Sequence, residues 1–159
     1  MSSLKVTRAQ EEMQTLKKFI ENQGIDFVQE LVIIDRSKLR EPCDMSYKGI
    51  EYQITYGNRK QLGDIRKTIS DEGKYCGISG LPPIADYVKE VLETALEDKK
   101  DKSDEKMTLL IEPAYTSYGL FHEEGDVAFK KYFKDNEQRI GGLWQHIFVV
   151  FSGGNIQLR

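Results

Sequence analysis

Apolar residues recur at helical spacing in three long segments of the chain, and each of these segments predicts an amphipathic helix. The first covers about residues 9–22, and Gly24 behind it is typical of a helix stop. The second covers about residues 83–99 and has the most regular apolar stripe, with a proline in its first turn. The third is EEGDVAFKKYFKDN at 123–136, and RKQLGDIRKTI at 59–69 predicts a further short helix.

Shorter apolar runs between these segments predict strands. FVQELVIID at 27–35 has the β-branched residues of a strand, with an extension of the helix through its first half as the alternative, and MTLLIEPAY at 107–115 predicts a buried strand that ends at proline. WQHIFVVFSGGNIQLR at 144–159 predicts a central strand, a Gly-Gly turn and a short edge strand. YCGISGLPP at 75–83 is rich in turn residues, and EDKKDKSDEK at 97–106 predicts a frayed helix end and a solvated loop. This order of elements predicts one α/β domain around a mixed sheet.

CDMSYKGIEYQIT at 43–55 predicts a β-hairpin that turns at Lys48-Gly49. With that turn, positions whose numbers sum to 97 face each other, and side chains alternate between the two faces. Lys-Gly is a weaker turn signal than Asn-Gly, so a longer loop stays open as an alternative. One face collects only apolar or aromatic side chains: Cys43, Met45, Tyr47, Ile50, Tyr52 and Ile54.

The other face of this hairpin is polar and holds Asp44, Ser46, Glu51, Gln53 and Thr55. The predicted register sets Asp44 opposite Gln53, and Cβ atoms of directly opposed residues lie roughly 5 Å apart. A carboxylate and an amide oxygen at that separation can share a hard cation such as Mg²⁺. The alternative is an ordinary polar side of a hairpin that faces solvent.

The composition is that of an ordinary globular chain. Its 159 residues suit a single domain, 1–159, with 39% hydrophobic and 31% charged residues. No apolar run approaches the ~20 residues of a membrane span. The first residues lack the apolar stretch of a secretory signal, and there are only two cysteines, Cys43 and Cys76. We therefore expect a protein of the reducing cytoplasm without a membrane partner.

Basic residues are concentrated in one part of an otherwise acidic chain. The segment Arg36–Lys67 holds eight basic and four acidic residues, a charge of +4, which leaves −7 for the rest of a chain whose net charge is −3. A local basic region of this kind favours a phosphate-facing site. An ordinary solvated surface is the alternative.

The order of elements resembles the PD-(D/E)XK superfamily, the restriction-endonuclease-like nucleases. The resemblance rests on an N-terminal helix, a hairpin that carries an aspartate, a long helix, the strand LLIEPAY, another helix and HIFVVFSGG. EPCD is similar to the Pro-Asp element of the family with one residue inserted, and QIT occupies its Glu/Gln-x-Lys position. LETALEDKKDKSDEKMTLLIE is also similar to the lysine-rich helix end and following strand of many predicted nucleases of this group. The resemblance implies a restriction-endonuclease-like core.

The resemblance also implies a set of site residues. The metal-binding aspartate of the family falls on Asp44 and the second ligand on Gln53, with Glu51 and Glu112 as further ligands of Mg²⁺ or Mn²⁺. Glu11, Glu12 or Glu21 on the first helix can add another carboxylate, and the sequence does not choose among them. Thr55 stands where the family has a lysine and carries no charge, so another cation must stabilise the developing negative charge. Lys60 is the preferred substitute.

The expected function is metal-dependent hydrolysis of phosphodiester bonds in DNA or RNA, or a nuclease-derived binding role without hydrolysis. Asp44, Gln53, Thr55 and Lys60 are the catalytic candidates, and the candidates for contact with nucleic acid are Arg36, Lys38, Arg59 and Lys60. The competing class is an interaction protein without enzymatic activity: an inhibitor of the immunity type or an assembly subunit, with a homodimer or another protein as its partner.

Overall fold

Six strands in the described part of the chain hydrogen-bond in chain order to form one mixed sheet. The computed structural model describes residues 7–57, 84–113 and 123–159. The α-helices within these ranges are α1 (Arg8–Glu21), α2 (Ile84–Lys99) and α3 (Glu123–Ile140). The strands are β1 (Val32–Ile33), β2 (Met45–Tyr47), β3 (Ile50–Gly57), β4 (Met107–Pro113), β5 (His146–Phe151) and β6 (Gly154–Gln157).

The connections explain why the sheet is mixed. β1, β2 and β3 form an antiparallel meander, whereas β4 pairs parallel to both β3 and β5, and β6 returns antiparallel to β5. Parallel neighbours need a crossover, and α2 and α3 stand in the two crossover connections. The predicted α/β architecture, a mixed sheet flanked by helices, is confirmed. No helix in the described ranges is both long and apolar enough to cross a bilayer.

Each face of the sheet has its own core, because side chains alternate along every strand. On β3, Tyr52 and Ile54 pack with Leu16 and Phe19 of α1. The opposite core, beneath α2 and α3, contains alternate residues of β4 and β5 and the apolar stripe of α2: Val88, Val91, Leu92, Ala95, Leu96, Met107, Leu109, Ile111, Ile147 and Val149. Gln53 and Thr55 point away from the α1 core, toward the face that α2 covers.

The predicted hairpin register is confirmed, with Met45 opposite Tyr52, Ser46 opposite Glu51 and Tyr47 opposite Ile50. The prediction that Cys43 shares the face of Met45 and Tyr47 is wrong. Cys43 precedes β2 and belongs to the core beneath α2, whereas Met45 and Tyr47 belong to the α1 core. The strict alternation does not reach Cys43 because β2 begins only at Met45.

The predicted strand at 27–35 is largely wrong. A one-turn 3-10 helix, Gln29–Leu31, precedes a strand of only two residues, β1. The predicted helix at 59–69 and the turn-rich stretch at 75–83 lie outside the described residues, as does Cys76. The helix predicted at 123–136 is confirmed and extends to Ile140.

Gly57, the last residue of β3, lies directly against α2. A Cβ atom at this position would lie 2.7 Å from the Val91 Cγ1 atom and 3.0 Å from the Val91 carbonyl oxygen. Gly57→Ala should therefore lower the free energy of unfolding by about 1–3 kcal/mol through overpacking. Urea denaturation measures this, with the exposed Gln14→Ala as the control. Equal stability of the two variants would show that α2 can shift at no cost.

Candidate functional site at the end of strand β2

Asp44 directly precedes β2, beside a part of β3 that extends beyond the paired residues of β2. Its backbone N–H donates to the Tyr52 carbonyl oxygen at 2.9 Å, and its carboxylate Oδ2 accepts from the Ile54 N–H at 2.8 Å. The Arg36 guanidinium fixes the same turn by donating to the carbonyl oxygens of Cys43, at 2.6 Å, and Asp44, at 3.2 Å. One Arg36 nitrogen is also 3.9 Å from Asp44 Oδ1. Asp44 is thus a held carboxylate whose side chain is only 13% exposed.

Glu12 on α1 is the second carboxylate of this region. The residue is 5% exposed, and its Oε2 lies 3.5 Å from the Nε of Arg8 without a hydrogen-bond partner in the described ranges. Burial, and then the nearby charge of Asp44, raise the pKa of Glu12 to about 7, although Arg8 opposes this shift. Of the three glutamates that the sequence leaves open on α1, Glu11 and Glu21 are exposed and Glu12 is buried.

Lys99, the last residue of α2, is a buried cation that the sequence reasoning missed. It is 3% exposed, and burial lowers the pKa of its ammonium group, a shift that nearby Lys102 and Arg8 strengthen and Asp44 opposes. Within the described ranges it makes neither an ion pair nor a side-chain hydrogen bond. The expectation of a solvated segment at 97–106 is wrong at this one position, although most of its other residues are exposed.

Gln53 and Thr55 share the strand face that α2 covers, and they are 1% and 5% exposed. The alternative of a solvent-facing polar side is therefore wrong for these two residues. The Gln53 Oε1 atom is buried and has no hydrogen-bond partner in the part of the chain described. An unpaired buried amide oxygen costs free energy, so its retention calls for a ligand or a water.

A polar pocket opens beside these residues. Its volume is about 260 Å³, and Thr55 and Lys99 line it together with Arg8 and Glu11 of α1. The pocket brings the end of α2, the start of α1 and the C-terminal part of β3 together. A polar ligand can therefore reach Thr55 and the Lys99 ammonium from solvent.

The two other predicted carboxylate ligands have protein partners. Glu51 Oε1 accepts from Arg40 at 2.7 Å, and the same guanidinium binds Asp104 at 2.8 Å. Glu112 lies in the other direction, toward α1, where its carboxylate binds the Thr15 hydroxyl at 2.6 Å and the Lys18 ammonium. The structure thus brings Glu12, and not Glu112, into the neighbourhood of Asp44.

The structure describes two of the four residues predicted to contact nucleic acid. Arg36 lies beside Asp44 and Lys38 is exposed in the 3-10 helix Arg36–Lys38. Arg59 and Lys60 lie outside the described residues, so the structure places neither of them.

The oxygen atoms of Asp44, Glu12 and Gln53 fit a hard cation in kind. Mg²⁺ takes oxygen ligands, needs only one or two carboxylates and keeps several waters. Within the described ranges no cluster of three or more His, Cys, Asp or Glu side chains is arranged for a metal. The fit of a cation to this site therefore depends on two carboxylates and the unpaired Gln53 oxygen, and not on three or more acidic side chains.

Comparisons with known proteins give no relative for this chain. No protein-family model matches it, and neither the curated proteins nor the solved structures yield a match.

Proposed function

We propose that this domain is a metal-dependent phosphodiesterase that acts on nucleic acid at a site formed by Glu12, Asp44, Gln53 and Lys99. One observation carries the proposal: the buried residues Glu12 and Lys99 both lie near the charge of Asp44, Lys99 lines a polar pocket, and in the described ranges the buried Gln53 amide oxygen has no hydrogen-bond partner. Such a set is costly to fold, and buried groups of this kind are concentrated at functional sites.

The connection of the elements supports the same proposal. A helix, an antiparallel meander that carries Asp44, a second helix and a parallel strand follow each other. This is the order that the resemblance to restriction-endonuclease-like nucleases relies on. The proposal therefore includes a restriction-endonuclease-like core.

Asp44, Glu12 and Gln53 would hold Mg²⁺ or Mn²⁺. Such an ion polarises the phosphate and lowers the pKa of a bound water. Asp44 is suited to this role because the Ile54 N–H and Arg36 hold it in one orientation. Glu12, whose pKa is raised to about 7, would join the ligand set in its ionised form.

Lys99 supplies the positive charge that Thr55 lacks. Both residues line the same pocket, so the ammonium group faces the space beside the strand position at which the resemblance implies a lysine. A fixed charge in a water-poor site stabilises negative charge that develops on a phosphate far better than one in water. Thr55 can donate one hydrogen bond to the same group.

Arg8, Arg36 and Lys38 would contact the phosphates of the substrate. Arg8 lines the pocket, and the side chains of Arg8 and Arg36 are 72% and 57% exposed. They can therefore meet a flexible strand at the mouth of the site. These contacts carry no base information, so both DNA and RNA remain substrates to test.

The test of the proposal is cleavage of labelled single-stranded DNA, double-stranded DNA and RNA with Mg²⁺, with Mn²⁺ and with EDTA. We expect cleavage that requires the metal and is lost in Asp44→Asn. Calorimetric titration should show metal binding about 10- to 100-fold weaker in this variant. Loss of a residue that only supports a ligand weakens metal binding by this factor, and loss of the ligand itself should cost at least as much. Ser46→Ala, on the neighbouring strand β2, is the control. Equal metal binding by wild type and Asp44→Asn would contradict the proposal.

A protein-binding role is the second candidate, and exposed aliphatic residues favour it. The edge strand β1 contains Ile33 and is flanked by Leu31 and Ile34. These three residues are 40%, 46% and 43% exposed, respectively. An apolar sheet edge of this kind is prone to pair with another chain. Sedimentation equilibrium of wild type and Ile33→Lys distinguishes the roles: a dimer that the variant abolishes, without any metal binding, would favour the interaction protein.

A further inference from the structure

Exposed aliphatic side chains are concentrated in one part of the surface. The described part of the chain has eight large aliphatic side chains that are exposed, and six of them lie within residues 25–50. Single apolar residues scattered over a surface are normal, whereas a cluster marks an interaction site. We call this cluster the edge patch, and its members, each at least 39% exposed, are Ile25, Val28, Leu31, Ile33, Ile34 and Ile50.

Tyr47 of β2 holds the two parts of the edge patch together. It is in register with Val32 of the edge strand β1 on one side and with Ile50 of β3 on the other. Its phenol oxygen accepts a hydrogen bond from the Val28 N–H at 3.1 Å, and its ring stacks on that of Phe27 with 5.3 Å between the ring centres. The segment that leads into β1 and the start of β3 therefore lie side by side around one aromatic ring.

A recess opens at one end of the edge patch. Its volume is about 290 Å³, and Ile25 and Ile50 line it together with Lys48. No Asp or Glu is among the described residues that line this recess. Interfaces between proteins gain most of their affinity where an apolar side chain of one partner fills a pocket of the other. The recess thus gives the edge patch a concave part that suits an aliphatic side chain.

The edge patch carries exposed charges of both signs. Residues 19–35 hold four acidic residues and no lysine or arginine, and two of these acids, Asp26 and Glu30, are exposed and lie between members of the patch along the sequence. Lys48 lies at the tip of the hairpin, with its ammonium 5.5 Å from the centre of the Tyr47 ring. None of these three charged groups forms an ion pair within the described ranges. A surface of this kind is complementary to a second copy of itself, because a twofold axis can set the acids of each copy against the base of the other.

We propose that the edge patch is the interface of a twofold-symmetric homodimer, in which the aliphatic side chains of the two copies cover each other and Asp26 of each copy pairs with Lys48 of the other. This chain already presents the aliphatic and acidic groups that the recess and Lys48 require, so a second copy is the partner that the surface fits. The edge patch shares no residue with the proposed metal site. The proposal therefore names the partner of the exposed sheet edge and stands whether or not the chain hydrolyses nucleic acid.

The test is analytical ultracentrifugation of the full chain at protein concentrations up to millimolar, with Mg²⁺ and with EDTA. We expect a reversible equilibrium between monomer and dimer that is the same in both solutions. Ile50→Thr keeps a β-branched side chain at the start of β3 and removes apolar contact, so it should weaken dimerisation about tenfold. Val127→Thr on α3 is the matched control, since Val127 is an exposed aliphatic residue outside the edge patch, and it should dimerise as the wild type does.

A charge swap tests how the two copies are oriented. Lys48→Glu and Asp26→Lys each set like charges against each other twice in the proposed dimer, so each should weaken self-association about 10- to 100-fold. A mixture of the two variants in equal amounts restores opposite charges at both contacts. The two variants should therefore form a heterodimer with about the affinity of the wild-type dimer, and native mass spectrometry of the mixture detects it.

The possible outcomes separate this proposal from the proposed hydrolysis. Asp44→Asn should dimerise as the wild type does, even if the metal site is wrong, and circular dichroism checks that each variant is folded. A wild type that stays monomeric at millimolar concentration would overturn the proposal and leave the edge patch to a different protein. Assemblies larger than a dimer, equal dimerisation by Ile50→Thr, or absence of the heterodimer from the mixture would also overturn it.

Discussion

Lys99→Met should lower kcat for nucleic-acid cleavage by about 100- to 1,000-fold and change KM by much less. This is the loss that follows removal of one fixed group that stabilises charge in the transition state. Methionine keeps the length of the buried stem and removes only the charge. The protein should also become more stable, because burial lowers the pKa of the Lys99 ammonium and so marks its charged form as unfavourable in the fold.

A swap of positions makes this experiment sharper. Thr55 and Lys99 line one pocket, so Thr55→Lys in the Lys99→Met background returns a cation to the same space from the strand. We expect this double variant to recover about tenfold of the lost rate, a part of the effect of a fixed charge. Lys102→Met, three residues further on and exposed, is the matched control. If Lys99→Met cleaved at the wild-type rate, Lys99 would have no part in the chemistry.

The hairpin was predictable because its two faces differ so clearly in polarity. A slip of one residue would have buried Glu51 and exposed Tyr52, and the turn at Lys48-Gly49 fixed the register further. What alternation cannot show is where a strand stops. The Asp44 carboxylate accepts the hydrogen bond from the Ile54 N–H, so β2 begins at Met45, two residues after the predicted start, and Cys43 falls on the other face.

Lys99 escaped prediction because its neighbours in the sequence are charged and solvated. The signal was nevertheless present in the helical period. Lys99 follows Ala95 by four positions and Leu96 by three, so it continues the apolar stripe of α2. A charge at such a position is a candidate for a function and not for a frayed end.

Glu12 carries the same signal on α1. It precedes Leu16 by four positions and Phe19 by seven, so it lies on the buried side of the helix, whereas Glu11 does not. Its meeting with Asp44 could not be predicted, since that depends on how α1 crosses the sheet. Pairwise distances across different elements are set by packing and not by local pattern.

Glu12→Gln should stabilise the protein, by an amount that grows with pH. The ordinary pKa of this carboxyl is 4.5, and it is raised to about 7 in the fold. Between these two values the folded state holds a proton that the unfolded state releases, so wild-type stability falls as pH rises through this window. The full loss, reached above about pH 7, is about 3 kcal/mol at 1.4 kcal/mol for each pKa unit.

Glutamine does not ionise, so this part of the pH dependence should vanish in the variant. Urea denaturation from pH 4 to pH 8 should give two curves that meet near pH 4 and separate as the pH rises. At pH 8 the variant should be more stable by up to about 3 kcal/mol. Glu21→Gln, on the exposed side of α1, is the control and should run parallel to the wild type. A constant difference at every pH would contradict the burial of an ionisable Glu12.

Mg²⁺ should remove most of this difference between the two proteins, because a bound cation favours the ionised carboxylate. At pH 8 and a metal concentration 100 times Kd, the wild type should gain about 2.7 kcal/mol. Glu12→Gln, which lacks one of the two carboxylates, should gain far less. If Glu12 serves function at a cost in stability, its replacement should stabilise the protein and also abolish metal binding. Equal gains in both proteins would instead assign Glu12 a purely structural place beside Asp44.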